Sequence, residues 1–236
     1  MNMNITAYPT ADAAPSAIDA DLALVIDTLR MTSVAATALA NGCAGLLAVE
    51  TVDEARELAP RHGSLLGGER GGTRVDGFDL GNSPIEYTVG RVSGKSLVVT
   101  TTNGTRAVAK ARSSRRVWLA SLLNARAVAD RLRSSGFGGV AMICAGTQGM
   151  FSMEDALTAG AIIHRLDGMA SMDDFAQACM ILYGSLRHDL TAALRGASHA
   201  KRLASLGFAR DVEFCLREDS LEAIPALGGD GWFVLL

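Results

Sequence analysis

The sequence lacks an excess of basic residues and long hydrophobic runs, and each absence excludes a class of protein. Lys and Arg number 22 against 25 Asp and Glu, which gives a net charge of −3. Phosphodiester backbones require a basic surface, so nucleic acid is excluded as a partner. Hydrophobic residues make up 49% of the chain. They occur in runs far shorter than the roughly 18 residues that cross a bilayer, so no membrane association is expected.

Signals for secretion and for cross-linking are also lacking. The N-terminus has neither the basic region nor the apolar region of a signal peptide, which predicts a cytoplasmic protein. The cysteines stand far apart and form no CxxC pair, so neither a zinc site nor a disulfide framework is expected. They are Cys43, Cys144, Cys179 and Cys215. The histidines show no spacing of four residues on a helix, which argues against a histidine-bound zinc.

The common phosphate-binding and phosphatase motifs are absent as well. Gly94-Lys95-Ser96 resembles the end of a P-loop, but Val89 stands where that loop requires glycine. No cysteine is followed six residues later by the arginine of a cysteine phosphatase. Asp27 is not followed by the second aspartate of the haloacid-dehalogenase type. These three kinds of site are excluded in their usual form.

What is present is an alternation of short apolar runs with segments of helical pattern. This alternation predicts an α/β fold, layered α/β/α, with a mostly parallel or mixed sheet. At about 150 residues per domain, residues 1–236 are expected to form one α/β domain or two closely packed lobes. Residues 1–20 are expected to be irregular or an edge strand. The predicted strands cover residues 22–27, 45–49, 97–100, 117–119, 140–144, 212–215 and 232–235. The predicted helices cover residues 34–41, 51–62, 106 onward, 124–134 and 153–166, with one or two more between 173 and 206.

Polar residues gather after three of the apolar strands and in a glycine-rich segment. Asp27 follows the first strand, Thr101-Thr102-Asn103 the next, and Glu154 with Asp155 comes after a third. Ligands of α/β sheets bind outside the carboxyl ends of the strands. Residues 67–87 hold six glycines and are expected to form a long functional loop.

Several carboxylates in these positions are candidates for a magnesium site, because Mg²⁺ is a hard ion that takes oxygen ligands. They are Asp27, Glu69, Asp76, Asp79, Glu154 and Asp155. The alternative is that each caps a helix or binds a loop amide, and Ser152-Met-Glu-Asp155 indeed has the form of a capping box.

Arginine and asparagine side chains near the same loops are candidates for binding an anion. Arg30, Arg70 and Arg106 each lie close to a predicted loop, and guanidinium groups bind phosphate and sulfonate well. The alternative is a solvated surface arginine, since the chain has 19 arginines against three lysines. Asn82 and Asn103 fit either a substrate contact or a turn.

The motifs that these residues form resemble the 2-phosphosulfolactate phosphatase family. The segments that carry the resemblance are Val25-Ile-Asp-Thr-Leu-Arg30, Gly68-Glu-Arg-Gly71, Gly77-Phe-Asp-Leu-Gly-Asn-Ser-Pro84, Thr101-Thr-Asn-Gly-Thr-Arg106, Cys144-Ala-Gly146 and Phe151-Ser-Met-Glu-Asp155. They occur in the family's order over roughly residues 20–220. The resemblance implies an α/β fold and an Mg²⁺-dependent phosphatase. The expected reaction converts (2R)-2-phospho-3-sulfolactate to 3-sulfolactate and phosphate, a step of coenzyme M biosynthesis.

The resemblance also implies roles for individual residues. The expected catalytic residues are Asp27, Arg30, Glu69 and Arg106. The expected substrate-binding residues are Arg70, Asn82, Thr102, Asn103 and Gly104. The expected metal ligands are Asp27, Glu69, Asp79, Glu154 and Asp155.

Alternatives remain open for the mechanism and the substrate. A bound Mg²⁺ can orient an attacking water, or Asp27 can act as a covalent nucleophile. The substrate can also be another 2-hydroxyacid phosphate, such as phospholactate or phosphoglycolate. A third hypothesis is an anion-binding protein without turnover. A homodimer is expected from the apolar stretch 176–186.

Overall fold

The computed structural model describes residues 3–236, which form a mixed sheet surrounded by helices. The strands are β1 (Met3–Tyr8), β2 (Leu22–Ile26), β3 (Gly45–Ala48), β4 (Leu65–Arg70), β5 (Thr73–Arg74), β6 (Ser96–Thr100), β7 (Val117–Ala120), β8 (Gly139–Cys144), β9 (Ala170–Met172), β10 (Pro225–Leu227) and β11 (Phe233–Leu235). The α-helices are α1 (Met31–Ala40), α2 (Val52–His62), α3 (Val89–Val92), α4 (Gly104–Ala111), α5 (Ala125–Ser135), α6 (Met153–Arg165), α7 (Asp174–Leu186), α8 (Leu190–Leu194), α9 (Ser198–Ser205) and α10 (Ala209–Cys215). Short 3₁₀ helices span Pro84–Glu86 and Leu122–Asn124.

The sheet consists of two parallel groups joined by an antiparallel hairpin. Its strand order is β5-β4-β6-β3-β11-β10-β7-β2-β8-β1-β9. Strands β4, β6 and β3 pair in parallel, and so do β7, β2, β8, β1 and β9. The β10–β11 hairpin pairs antiparallel with β7 on one side and with β3 on the other. The predicted mixed sheet is confirmed.

Strand β2 shows why the sheet is covered on both faces. All five of its residues are apolar and buried, and successive side chains of a strand point to opposite faces. Leu22, Leu24 and Ile26 pack into a core formed with α5, α6 and α7. Ala23 and Val25 pack into a second core, formed with α1 and α4. The predicted α/β/α layering is therefore confirmed, with α2 covering β3 and β6 on the face opposite α1.

The sheet curves around α1, and this curvature creates the site. Helix α1 contacts β3, β11, β10 and β7 in turn. Four strands separate β6 from β2 in the sheet. Nevertheless Gly104, just after β6, lies directly beside Asp27, just after β2. Residues that follow the two strands therefore share one cleft.

The structure agrees with the prediction at the start of α2 and disagrees with it at the start of α6. At the start of α2, the Thr51 side chain accepts a hydrogen bond from the Glu54 amide, and Gly63 ends the helix with a φ of 59°. The helix predicted over residues 51–62 is confirmed, and Thr51 and Gly63 explain where it begins and ends. The predicted capping box at Ser152 is wrong, because the Ser152 hydroxyl lies 2.6 Å from the Thr147 hydroxyl and does not cap α6.

The structure corrects other sequence predictions. Residues 3–8 form β1, which pairs in parallel with two neighbours, so this segment is neither irregular nor an edge strand. Residues 1 and 2 of that prediction lie outside the described part. The predicted loop 67–87 begins within β4. The predicted strand 212–215 is wrong: Val212 and Cys215, three residues apart, pack the same face of α10 against α9.

Further differences concern the helices. Helix α1 begins at Met31, ahead of the predicted start, and no side chain caps it. Three helices, and not one or two, occupy residues 174–205. Within residues 3–236, no helix combines the length and the apolar character needed to cross a membrane.

Candidate active site

A cleft of about 470 Å³ opens where the ends of β2, β4 and β6 meet α9. Six residues that the sequence singled out line it: Asp27, Arg30, Glu69, Asn82, Thr102 and Asn103. The cleft brings together side chains from segments that are far apart in the chain.

Asp27 is the buried carboxylate at the centre of this cleft. Its Oδ1 accepts a long hydrogen bond of 3.4 Å from the Met31 amide. Among the described residues, its Oδ2 accepts none. The pKa of Asp27 is raised to about 6, chiefly by burial; the charge of His199 acts to lower it and that of Glu69 acts to raise it. Asp27 is therefore a carboxylate that lacks compensating partners within the protein.

Gly104 allows the start of α4 to approach Asp27 closely. A Cβ atom on Gly104 would lie 2.5 Å from Asp27 Oδ2 and 2.7 Å from Met31 Cβ. Any larger residue would push α4 away from the carboxylate. The predicted substrate-binding residue Gly104 thus serves to place the N-terminus of an eight-residue helix beside the cleft.

The carboxylates of Glu69 and Asp155 each accept hydrogen bonds from two backbone amides. Glu69 Oε1 accepts from the Thr102 amide at 2.7 Å, and Oε2 accepts from the Gly72 amide at 2.6 Å. Asp155 accepts from the amides of Thr28 at 2.9 Å and Gly146 at 3.1 Å. Burial and the neighbouring carboxylates raise the pKa of Asp155, while these two amides lower it. Both carboxylates hold the backbone around the cleft in place.

Glu154 binds a histidine that the sequence analysis did not single out. Glu154 is 1% exposed, and its Oε1 lies 2.8 Å from His199 Nδ1. An ionised carboxylate only accepts hydrogen bonds, so Nδ1 is the donor. His199 also lines the cleft. Glu154 Oε2 is buried and has no partner among the described residues. The pair is a carboxylate that orients a histidine.

Arg30 lines the cleft but its charge is already paired. Its Nη1 donates to Asp211 Oδ2 at 2.5 Å, and its Nη2 donates to the Gly72 carbonyl at 2.8 Å. The guanidinium carbon lies 4.2 Å from the centre of the Phe208 ring. Ser83 donates to the other Asp211 oxygen at 2.7 Å. Arg30 therefore anchors α10 to the glycine-rich segment.

Several residues assigned to the site from the sequence do not line the cleft: Gly104, Glu154 and Asp155 lie beside it, and Arg70, Arg106 and Asp79 lie outside it. Arg70 donates to the carbonyls of Glu69 and Glu50 and to the Thr100 hydroxyl. Arg106 is half exposed and pairs with Asp12 at 2.6 Å. Asp79 is exposed, and its carboxylate accepts from the Leu66 amide at 2.8 Å. The structure thus places them away from the cleft, and their catalytic, substrate-binding and metal-binding roles stay predictions. Asp76, in the same exposed segment, lies outside as well.

Asn82, Thr102 and Asn103 supply neutral polar groups to the cleft wall. Asn103 Oδ1 accepts from the Gln148 amide at 3.2 Å, which leaves its amide nitrogen available. The Thr102 hydroxyl is buried and has no partner within residues 3–236. A buried polar group without a partner is costly, so a bound ligand that supplies one is favoured.

The sequence analysis missed the contribution of α9. His199 and Arg202 both line the cleft from this helix, and Leu203 packs beneath them. The two polar residues are three positions apart and therefore share a helix face. That spacing is common on exposed helices, so it carried no signal that could separate a site from an ordinary surface.

Comparisons with known proteins identify the family of the chain. Residues 8–230 match the family model described as 2-phosphosulpholactate phosphatase. A probable 2-phosphosulfolactate phosphatase of Thermotoga maritima is 44% identical over 220 residues, which cover 93% of this chain and 94% of the relative. Relatives with the same description from Gloeobacter violaceus and Clostridium acetobutylicum are each 40% identical. They cover 94% and 86% of this chain, and 94% and 88% of their own lengths. The chain therefore belongs to the 2-phosphosulfolactate phosphatase family.

Proposed function

We propose that this protein is an Mg²⁺-dependent phosphatase that hydrolyses (2R)-2-phospho-3-sulfolactate to 3-sulfolactate and phosphate. The observation that carries the proposal is Asp27, a buried carboxylate whose Oδ2 is left without a hydrogen bond in a small cleft. The relatives described as 2-phosphosulfolactate phosphatases suggest the substrate.

The carboxylates of the cleft can hold a magnesium ion only together with other ligands. Among residues 3–236, no group of three or more His, Cys, Asp or Glu side chains is arranged to hold a metal. The five-carboxylate site expected from the resemblance is therefore not a preformed cage. Mg²⁺ commonly uses one or two carboxylates together with waters and substrate phosphate. Asp27 would hold the ion, with the Glu69 carboxylate beside it, and the ion would supply charge neutralisation on the phosphoryl group.

The surrounding residues position the substrate and limit the water around it. The start of α4 directs backbone amides towards the cleft beside Asp27, a favourable environment for a phosphate oxygen. Glu69 keeps the Gly72 turn and the Thr102 loop at a fixed separation. Because Glu154 holds Nδ1 of His199, Nε2 is free to bind a phosphate oxygen or the attacking water.

The direct test is phosphate release from racemic 2-phospho-3-sulfolactate, with phospholactate, phosphoglycolate and phenyl phosphate alongside. Each is measured with Mg²⁺ and again with EDTA. Release that is strongest on the sulfonate and is abolished by EDTA is the expected result. Equal or faster release from phospholactate or phosphoglycolate would move the substrate to another 2-hydroxyacid phosphate. Binding in calorimetry without release under either condition would identify an anion-binding protein without turnover.

We also propose that the protein forms a homodimer through α7. The stretch 176–186 lies within this helix, and its outer face is uncharged and includes Ile181, which is 59% exposed. Exposed apolar patches mark interaction surfaces more often than scattered apolar residues do. Sedimentation equilibrium of the wild type and of Ile181→Lys is the test. A dimer mass that falls to the monomer in the variant supports the interface, and a monomer in both contradicts it.

A further inference from the structure

The cations assigned to the substrate from the sequence are already used within the protein. Arg30 pairs with Asp211, Arg106 pairs with Asp12, and Arg70 is bound to backbone carbonyls outside the cleft. The cleft itself is lined by the acidic groups of Asp27 and Glu69. A substrate that carries a phosphate and further anionic groups needs an additional positive charge at this site.

Arg202 on α9 is placed to provide it. It lines the cleft, and one guanidinium nitrogen donates to the Gly71 carbonyl at 3.2 Å. It forms no ion pair with any carboxylate in the described part of the chain. The remaining guanidinium donors are therefore free for a ligand.

Arg202 lies at the border between the cleft and a second space. Besides the cleft, it lines a larger groove that continues past Met150 and Phe151. It therefore stands where the two spaces meet. Helix α9 is held against the protein by Ala200 and Leu203, which pack with Leu29 and Cys215. This packing holds in place the helix that presents the Arg202 guanidinium to the cleft.

We propose that Arg202 binds an anionic group of the substrate other than the phosphate. Arginine donates two parallel hydrogen bonds to a carboxylate or sulfonate, so it selects phosphorylated hydroxyacids that carry such a group. This assignment rests on the proposed phosphatase function and makes Arg202 a specificity-determining residue of the same site.

The test compares Arg202→Gln with Lys201→Gln. Both substitutions remove one positive charge from α9. Lys201 lines a different surface groove and not the cleft, so it controls for net charge and for helix stability. Arg202→Lys is added to separate charge from bidentate geometry. Circular dichroism and thermal unfolding verify that each variant is folded.

We expect Arg202→Gln to lower kcat/KM on 2-phospho-3-sulfolactate by about 10- to 100-fold, mainly through KM. Phenyl phosphate, which has no second anion, should change by less than about twofold, and Lys201→Gln should leave both substrates unchanged. Arg202→Lys should retain part of the activity. Equal losses on both substrates, or no loss on either, would overturn the assignment.

Calorimetry with 3-sulfolactate separates this assignment from the proposed function, because it requires no turnover. If the wild type hydrolyses neither 2-phospho-3-sulfolactate nor phenyl phosphate, the proposed phosphatase function is wrong. Binding of 3-sulfolactate that is lost in Arg202→Gln and kept in Lys201→Gln would still support Arg202 as an anion-binding residue. Binding that is unaffected by Arg202→Gln, or absent from the wild type, would contradict it.

Discussion

The cleft has two regions, which we call the floor and the wall, and the two differ in how their side chains are held and in their charge. The floor consists of the ends of β2, β4 and β6, where carboxylates lie buried and most of their oxygens bind backbone amides. The wall is α9, which contributes His199 and Arg202 from a short helix packed on the outside. The floor fixes geometry and carries negative charge, while the wall carries the groups that face an anion. Variants of each region should therefore fail in different ways.

The largest effect is expected on the floor, at Asp27. Asp27→Asn removes the unpaired carboxylate and should lower turnover by about a thousandfold or more, since metal and phosphoryl binding are lost together. Asp79→Asn is the matched control, because Asp79 is exposed and lies outside the cleft. Steady-state phosphate release measures both. Near-normal turnover in Asp27→Asn, or a comparable loss in Asp79→Asn, would contradict the proposed site.

The second prediction concerns the wall and the carboxylate behind it. His199→Gln and Glu154→Gln should each lower kcat by about 10- to 100-fold, because each removes a hydrogen bond to a charged group. Glu154 acts through the ring, so the double variant should be no worse than His199→Gln alone. His188→Gln, on an exposed histidine, should have no effect. Multiplicative losses in the double variant would show that the two residues act separately.

The third prediction uses the pKa of Asp27, raised by burial from 3.8 to about 6. Between these values the unfolded state loses its proton first, so the metal-free protein loses stability as the pH rises from about 4 to 6. Asp27→Asn has no such loss and should be more stable by about 1–3 kcal/mol at pH 8 in EDTA. The difference should vanish near pH 4. Urea denaturation at both pH values measures it, and equal stability at pH 8 would refute the prediction.

The smallest effect is expected at Arg106, which belongs to neither region. Its pairing with Asp12 is about half exposed, and such pairs contribute less than about 1 kcal/mol. Arg106→Gln should change kcat/KM by less than about twofold and the free energy of unfolding by less than about 0.5 kcal/mol. A tenfold loss of kcat/KM would support the catalytic role that the resemblance implies for Arg106.

The sequence predicts the floor better than the wall for a physical reason. An apolar strand followed by a polar residue indicates both a strand and its end, so β2 and Asp27 were found together. Neighbouring residues, however, point in different directions. Glu69 enters the cleft while the next residue, Arg70, binds the backbone outside it. The sequence pattern alone assigns both residues to the site.

Sequence patterns also do not show which way the side chains of a helix point or which distant residues pair. Glu154 reaches His199, whereas Asp155 turns to the amides of Thr28 and Gly146. Arg30 is neutralised by Asp211, a residue 181 positions later in the sequence. No local pattern reports such a pairing, so an arginine already occupied looks the same in the sequence as one that is free.

The β10–β11 hairpin has a consequence for how the chain folds. It lies in the middle of the sheet, between β3 and β7, although its strands come after all the others in the sequence. During synthesis the two parallel groups emerge first, and their facing edges remain unpaired until the hairpin leaves the ribosome. Such long-range closure is slow, and open edges invite pairing with other chains. The facing edges of the two parallel groups therefore need protection from wrong pairing while the chain is being translated.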